Sequence, residues 1–155
     1  MWLLGGHHSS YKGAVEKALE QADLKGVKVS EDDDTNTITL EGSLHSEQAK
    51  ARAGDLAKSV ASGRVVANEI SVAPVGSEVD AKEVAADLDD GIESNYKAAL
   101  VSNQLGKDDV DFEVRNGVLT LTGKVKNSAI RQKAERIASG IPHVKQVVDQ
   151  IKVER

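Results

Sequence analysis

The sequence contains no cysteine, few aromatic residues and no long apolar run. Without cysteine the chain has no disulfide, no thiolate nucleophile and no cysteine-ligated zinc site. Aromatic residues make up 3% of the chain, which leaves little surface on which nucleic-acid bases could stack. The formal net charge is −5, whereas a nucleic-acid binder is usually basic. No run approaches the roughly 18 apolar residues that suggest a transmembrane helix.

The first dozen residues differ in character from the rest of the chain. Trp2, Leu3 and Leu4 form an apolar stretch that is too short for the apolar region of a signal peptide. His7 and His8 follow without other metal-binding residues around them, so they are better explained as tail residues than as a metal site. We therefore expect residues 1–12 to be an N-terminal tail that contains no signal peptide.

The chain contains an internal repeat. TITLEGSL at residues 37–44 corresponds to VLTLTGKV at residues 118–125, at an offset of 81 positions. The same offset relates the apolar and small residues that follow: Ala53, Leu56, Ala57, Val60, Val66, Ile70 and Val72 correspond to Ala134, Ile137, Ala138, Ile141, Val147, Ile151 and Val153. A match of this length without a gap indicates a tandem duplication. We expect one domain at residues 13–73, a linker at 74–83 and a second domain at 84–155.

Each copy is predicted to fold as α-β-β-α-β. Alternating apolar residues predict a pair of strands, and stripes of apolar residues at helical spacing predict one helix before the pair and another after it. A short third strand ends each copy. Because helices and sheets each have an apolar side to bury, the two helices should cover one face of a three-stranded mixed sheet. The predicted fold class is therefore α+β, with two such units in tandem.

The turns and helix starts can also be predicted. Asn116 and Gly117 join the two hairpin strands of the second copy, and both tolerate the positive φ that a tight hairpin turn requires. The first copy has the longer connection SEDDDTNT, which we interpret as an insertion of about four residues. The expected N-cap of the second helix is Ser46 in the first copy and Asn127 or Ser128 in the second.

The second copy resembles the BON domain, a family named after bacterial osmotically inducible and nodulation proteins. The resemblance lies in the register of the whole pattern: a hairpin with an Asn-Gly turn, VLTLTGKV, a helix of small and apolar residues, and the last strand. The matching residues are Asn116, Gly117, Val118, Leu121, Gly123, Val125, Ala134, Ile137, Ala138, Val144, Val147, Ile151 and Val153. The first copy retains Gly42 and Asn68 but lacks the Asn-Gly turn. Together the copies extend the resemblance over nearly all of the chain.

The resemblance implies a protein that is not an enzyme and needs no cofactor. A tandem pair without other domains is similar to the periplasmic osmotic-stress proteins of Gram-negative bacteria. It implies a periplasmic module that associates with phospholipid membranes or with envelope proteins. The alternative is a protein-interaction stress protein, chaperone-like or scaffolding, that has no direct role with lipid.

Charge is unevenly distributed in the second copy, which bears on lipid binding. Residues 78–123 contain 11 acidic and 4 basic residues, whereas residues 124–155 contain 8 basic and 3 acidic ones. The candidate lipid-binding residues are Lys124, Lys126, Arg131, Lys133 and Arg136. Basic residues near an anionic membrane contribute about 1 kcal/mol each. The plainer interpretation is that these residues form the solvated face of an amphipathic helix.

A second candidate surface is the first helix of the second copy, near Ile92, Tyr96 and Val101. This helix is flanked by acidic residues, which disfavour binding to anionic lipid: Asp87, Asp89, Asp90 and Glu93. We therefore prefer the basic residues as the candidate lipid site.

Five further residues are expected to be structural. Gly42 and Gly123 occupy matching strand positions, where a glycine permits a bulge or the close approach of a helix. Gly117 belongs to the tight hairpin turn. Asn68 and Asp149 begin the last strand of each copy among apolar neighbours, and a local hydrogen bond to the backbone explains a short polar residue there.

Catalytic, metal and nucleic-acid sites find little support in the sequence. His45 and His143 lie in different copies without a serine or paired carboxylates at catalytic spacing. In EDDDTN, Asp32, Asp34 and Asn36 occupy alternate positions, as the first ligands of a calcium loop do. The glycine and glutamate that complete such a loop are missing. The α-β-β-α-β order overlaps with KH domains, whose G-x-x-G loop does not occur here. We expect no catalytic residue, no metal site and no nucleic-acid partner.

Overall fold

The computed structural model describes residues 10–105 and 109–154, except for the side chain of Asp109. The first nine residues of the predicted tail, including His7 and His8, lie outside the described residues. The chain divides into two compact units, Met1–Pro74 and Val75–Arg155. We refer to them as the first unit and the second unit.

The first unit has its helices and strands in the predicted order. α1 (Lys12–Gln21) precedes the hairpin of β1 (Val27–Asp32) and β2 (Thr37–Leu44), and α2 (Glu47–Val60) leads to β3 (Val65–Asn68) and β4 (Ser71–Val72). β1 runs antiparallel to β2, and β3 and β4 both run parallel to it. β2 is therefore the centre of a mixed sheet, and β3 and β4 are two segments of its last strand.

The second unit repeats this arrangement. α3 (Glu78–Ser102) precedes β5 (Asp109–Arg115) and β6 (Val118–Val125), and α4 (Ser128–Ser139) leads to β7 (Gln146–Asp149) and β8 (Lys152–Val153). β6 is again central, antiparallel to β5 and parallel to β7 and β8. The predicted α+β fold of two tandem α-β-β-α-β units is confirmed. The division of the last strand into two segments is a feature that the sequence pattern did not predict.

Each unit has its own apolar core between its helices and its sheet. The first core includes Val15 and Leu19 of α1, Ala53 and Ala57 of α2, and Ile38, Leu40 and Leu44 of β2. The second core includes Ile92, Tyr96 and Leu100 of α3, Ala134 and Ala138 of α4, and Leu119, Leu121 and Val125 of β6. Alternation along the central strand directs its core residues to one face of the sheet, and the helices bury that face.

The first helices of the two units end alike but begin differently. α1 is followed by Asp23 and α3 by Gln104, both with positive φ, and the next residue in each unit is a buried leucine. These positions obey the same offset of 81, so α1 corresponds to the C-terminal part of α3. Since α3 has 25 residues and α1 has 10, α3 extends further at its N-terminal end. Residues 78–83 of the predicted linker are consequently helical.

The two hairpins differ by fewer residues than predicted. The connection between β1 and β2 covers residues 33–36, whereas Asn116 and Gly117 alone connect β5 and β6. The predicted insertion of about four residues was wrong: the difference is two residues, because β1 and β2 continue into the polar stretch. Asn116 has a φ of 49° and Gly117 a φ of 83°, as the predicted tight turn requires.

Candidate membrane-facing surface of the second unit

The basic residues begin at the C-terminal end of β6. Lys124 lies on β6 and Lys126 follows the strand, and both side chains are exposed. Lys124 is the register partner of Lys152 on β8, which is also exposed. Neighbouring strands lie about 5 Å apart, so these two lysines are side by side on the sheet. Lys152 was not among the predicted lipid-binding residues, although the pairing of the last strand with β6 brings it to this end.

α4 starts directly after these lysines. The side chain of Asn127 accepts a hydrogen bond from the backbone N–H of Ile130 at 3.0 Å, so Asn127 rather than Ser128 is the N-cap. Arg136 lies eight residues after Ser128 on α4 and is exposed, about 12 Å along the helix axis. We define the basic surface as the three exposed lysines Lys124, Lys126 and Lys152. They alternate with Val125 and Val153, which face the core, so they lie on the sheet face opposite the helices, whereas Arg136 lies on the helix side.

Two of the five candidate lipid-binding residues make contacts within the second unit. Arg131 Nε lies 3.0 Å from Asp149 Oδ2, with 41% of the Arg131 side chain exposed. Lys133 Nζ donates a hydrogen bond to the backbone carbonyl of Asn103, just after α3, at 3.1 Å. These contacts tie α4 to the last strand and to the end of α3. Arg131 and Lys133 are therefore less available to a membrane than the residues of the basic surface.

Asp149 and its counterpart Asn68 bridge the interruption of the last strand in each unit. Asp149 Oδ1 accepts a hydrogen bond from the backbone N–H of Ile151 at 3.0 Å, and Asn68 Oδ1 accepts one from Ile70 at 3.4 Å. The Asn68 amide also donates to the carbonyl of Lys50 at 2.9 Å. A short polar side chain thus supplies the backbone N–H with an acceptor where strand pairing is interrupted.

A second carboxyl group and a buried tyrosine lie near Asp149. A hydrogen bond with Asp149 raises the pKa of Glu135, with burial and the charge of Asp149 acting in the same direction and Arg131 opposing it. The Tyr96 hydroxyl is buried and donates to the carbonyl of Ala134 at 3.0 Å. Burial and the Asp149 charge raise the pKa of Tyr96 far above its ordinary value. The tyrosine therefore stays protonated and joins α3 to α4.

The glycines predicted to be structural lie in backbone conformations that favour glycine. Gly42 has a φ of 111° and Gly123 a φ of 108°, in the region that L side chains rarely adopt. A Cβ on Gly42 would overlap the carbonyl oxygen of Gly26, so the close approach involves the start of β1 rather than a helix. A Cβ on Gly117 would lie 2.9 Å from the Lys145 side chain.

His45 and the acidic hairpin turn have local structural contacts. His45 Nδ1 lies 2.9 Å from the carbonyl of Ala73, and His143 is exposed. Asp32 Oδ1 accepts the backbone N–H of Asp34 at 2.9 Å, which stabilises the turn itself. Within residues 10–105 and 109–154, no three acidic or histidine side chains are grouped as a metal site would require.

The second candidate surface of the sequence analysis is largely buried. Ile92 is 1% exposed and Tyr96 is 0% exposed, because both belong to the core of the second unit, while Val101 is 65% exposed. The part of the chain that the structure describes contains no helix with the length and apolar character needed to cross a bilayer.

The BON domain family model matches the chain twice, at residues 9–74 and at residues 88–155. The chain therefore belongs to the BON-domain family, with two copies in tandem, and the resemblance described above is confirmed. It is similar to osmotically-inducible protein Y of Escherichia coli (strain K12), with 28% identity over 148 residues. That alignment covers 94% of this chain and 72% of the relative.

Two solved structures also align with the chain. Both are of CdsD, a structural protein of the type III secretion system of Chlamydia trachomatis, with 13% identity and a TM-score of 0.38. The alignments cover 93% and 92% of this chain, which spans 61% and 64% of the length of the matched chains. A superposition this loose carries no argument about fold or function.

Proposed function

We propose that this protein acts in osmotic or envelope stress as a non-enzymatic periplasmic module that attaches peripherally to anionic phospholipid. Support for the stress role comes from its membership of the BON-domain family and its similarity to osmotically-inducible protein Y. The observation that carries the lipid attachment is the basic surface, where three exposed lysines lie on one face of the sheet at the ends of β6 and β8.

The expected attachment is weak and reversible. Each basic residue near an anionic membrane contributes about 1 kcal/mol, so three contribute about 3 kcal/mol. A free energy of this size corresponds to a dissociation constant of about 6 mM. Salt should weaken the attachment, because exposed charges are screened over about 8 Å at physiological ionic strength. A protein held in this way exchanges readily between the membrane and solution.

Vesicle sedimentation tests the proposal. The protein should sediment with phosphatidylglycerol vesicles but not with phosphatidylcholine vesicles, and high salt should release it. The double variant Lys124→Gln/Lys126→Gln should bind roughly ten to thirty times more weakly. The matched control is Lys28→Gln/Lys58→Gln, which removes two exposed lysines from the first unit and should bind like the unaltered protein.

Two results would contradict the proposal. If neither vesicle type binds the protein at low salt, there is no direct attachment to lipid. If both double variants lose affinity equally, net charge rather than the basic surface determines binding.

The alternative function is that of a protein-interaction stress protein without a direct role with lipid. It is favoured by a different observation, the exposed apolar side chains on α3. The two functions use different residues, so vesicle binding and protein binding can be tested separately on the same protein.

A further inference from the structure

Exposed apolar side chains are concentrated on α3 and just before it. Apart from Val65, the large apolar residues that are exposed in the described chain are Val75, Val79, Val84, Leu88 and Val101. Val79, Val84 and Leu88 lie in the N-terminal part of α3 that has no counterpart in α1. This extension, residues 78–91, therefore carries apolar surface that the domain fold itself does not require.

Part of this apolar surface forms one stripe along the helix. Ala81, Val84, Ala85 and Leu88 follow one another at i, i+3, i+4 and i+7, which places them on one face. Val84 is 57% exposed and Leu88 is 39% exposed, and the two alanines are partly buried. One turn after Leu88, Ile92 on the same face enters the core of the second unit. The stripe thus continues the core-facing side of α3 beyond the core.

The extension is anchored next to the β5–β6 turn. Asp89 accepts hydrogen bonds from the backbone N–H groups of Asn116 at 2.7 Å and Gly117 at 2.9 Å. Bonds to a carboxylate are stronger than bonds between neutral groups. An isolated helix as short as this extension would be marginal in water, so the anchor and the continuous helix keep the stripe in helical form. A partner would meet a surface that is already ordered, which lowers the entropic cost of binding.

The helix segment that carries the stripe is strongly acidic, and carboxylates line the edge beside Val84. Residues 78–90 contain six acidic residues and one basic residue. At 100° per residue, Asp80 and Asp87 lie beside Val84 on one edge. The other edge, beside the alanines, carries Glu78 together with Lys82, and Asp89, which is bonded to the β5–β6 turn. An apolar stripe on an acidic helix segment complements an apolar stripe on a helix with positive charge beside it.

We propose that the extension of α3 docks a cationic amphipathic helix of another protein on the stripe formed by Ala81, Val84, Ala85 and Leu88. An anionic membrane does not fit this surface, because its headgroups would face the acidic residues of the extension. A second copy of the extension does not fit either, because the carboxylates of the two copies would face each other. The cationic helix α4 of a second copy has already buried its apolar residues Ala134 and Ala138.

A synthetic peptide provides the probe for this docking surface. It has 18 residues, with leucine at i, i+3, i+4 and i+7 positions and lysine elsewhere. Added to the isotopically labelled full chain, it should shift the backbone amide signals of residues 78–91 in NMR spectra. High salt should weaken the binding. A peptide with glutamate in place of each lysine should produce no such shifts.

Glutamine substitutions separate the stripe from the rest of the extension. Glutamine propagates a helix about as well as leucine, so Val84→Gln/Leu88→Gln should leave the helix intact while removing the apolar contact. The affinity for the lysine peptide should fall at least about tenfold. The matched control is Val79→Gln, which alters an exposed valine of the same extension on the opposite face and should leave the affinity unchanged.

Four results would overturn this proposal. The lysine peptide could shift signals only outside residues 78–91, or the glutamate peptide could bind as tightly. Sedimentation equilibrium could show a dimer that depends on Val84 and Leu88, which would make a second copy the occupant. Phosphatidylglycerol vesicles could lose affinity for Val84→Gln/Leu88→Gln, which would make lipid the occupant. This docking proposal does not depend on the basic surface. If the basic surface does not bind lipid, only the vesicle experiments with the lysine variants would show it.

Discussion

The two units stabilise the interruption of their last strand with different side chains at the same three positions. In the first unit, the Asn68 amide reaches the carbonyl of Lys50 at 2.9 Å. It passes Gly54, where even a Cβ would lie 2.8 Å from the amide nitrogen. The hydrogen-bonding amide is neutral, and its position depends on the absence of a side chain at residue 54.

The second unit has charged side chains at these three positions. Arg131, Glu135 and Asp149 occur at an offset of 81 from Lys50, Gly54 and Asn68. Asp149 pairs with Arg131 at 3.0 Å and shares a hydrogen bond with Glu135. A carboxylate needs donors around it; Arg131 provides one, and Glu135 provides another when it is protonated.

The comparison shows which part of the duplicated sequence is constrained. In both units an oxygen of residue 68 or 149 accepts the backbone N–H two residues later, because that N–H would otherwise lack a partner. The surrounding side chains differ between the units as a set. The Asn68 amide occurs with Gly54, whereas the Asp149 carboxylate occurs with Arg131 and Glu135. A substitution at one of these positions should therefore depend on the residues at the other two.

The largest difference that we expect between the units is the loss of stability when the buried residue at matching positions of α1 and α3 is truncated. Val15 on α1 corresponds to Tyr96 on α3, and both are fully buried. The Tyr96 ring contacts Phe112 edge-to-face, with ring centroids 4.9 Å apart. Tyr96→Ala should lower the free energy of unfolding of the second unit by about 4 kcal/mol, whereas Val15→Ala should cost the first unit about 2 kcal/mol.

Native-state hydrogen exchange measures the two units separately. Protection should fall in β5, β6 and α4 for Tyr96→Ala, and in β1, β2 and α2 for Val15→Ala. Tyr96→Phe is the control, because it keeps the ring and loses only one hydrogen bond, worth about 1 kcal/mol. Equal losses from the two alanine variants would refute the greater dependence of the second unit on its aromatic pair.

Much of the fold followed from the sequence because its signals are local. Alternation predicted the hairpin strands, helical spacing predicted α2 and α4, and Asn116 with Gly117 predicted the tight turn. The start of α3 at Glu78 was not predicted, because Pro74 and Gly76 suggested a linker that continued further. Pro74 and Gly76 both precede α3, so the helical spacing of Ala81, Val84 and Leu88 predicts the start of this helix better than the linker composition does.

The candidate lipid site was harder to predict because it depends on contacts between distant segments. The helical pattern placed Arg131 and Lys133 on the outward side of α4. It could not show that Asp149 and the carbonyl of Asn103 approach these side chains from other parts of the chain. Lys152 was missed for the same reason, since it reaches Lys124 only through the parallel pairing of β8 with β6.

A smaller effect should reveal the coupling between Gly54 and Asn68. Alanine propagates a helix better than glycine by about 1 kcal/mol, so Gly54→Ala should stabilise the first unit by this amount in an Asn68→Ala background. In the natural background the added Cβ would displace the Asn68 amide, and the lost hydrogen bond should offset the gain. We expect a coupling free energy of about 1–2 kcal/mol from chemical denaturation of the four variants.

A helical glycine in the second unit serves as the control for this cycle. A Cβ on Gly91 would have no atom within 4 Å, so Gly91→Ala should stabilise α3 by about 1 kcal/mol. The effect should not change in the Asn68→Ala background. If Gly54→Ala behaves in the same way in both backgrounds, the amide and the glycine are not coupled.

The smallest effect that we expect is a pH dependence confined to the second unit. The hydrogen bond with Asp149 raises the pKa of Glu135 above its ordinary value of 4.5, so the folded second unit binds a proton more readily than its unfolded form. Its free energy of unfolding should therefore rise as the pH falls through the raised pKa towards 4.5. Glu135 is largely exposed, so solvent screening keeps the gain small.

Carboxyl carbon NMR and denaturant unfolding can detect this contribution. The Glu135 signal should titrate above 4.5, and Glu135→Gln should remove the added stability in acid without affecting the first unit. The first unit has Gly54 at this position and cannot gain stability in the same way. If Glu135 titrates at or below its ordinary pKa, Asp149 accepts hydrogen bonds from Arg131 and the backbone but not from Glu135. The Asp149 site would then differ from the Asn68 site of the first unit by the ion pair with Arg131, but not by a hydrogen bond with Glu135.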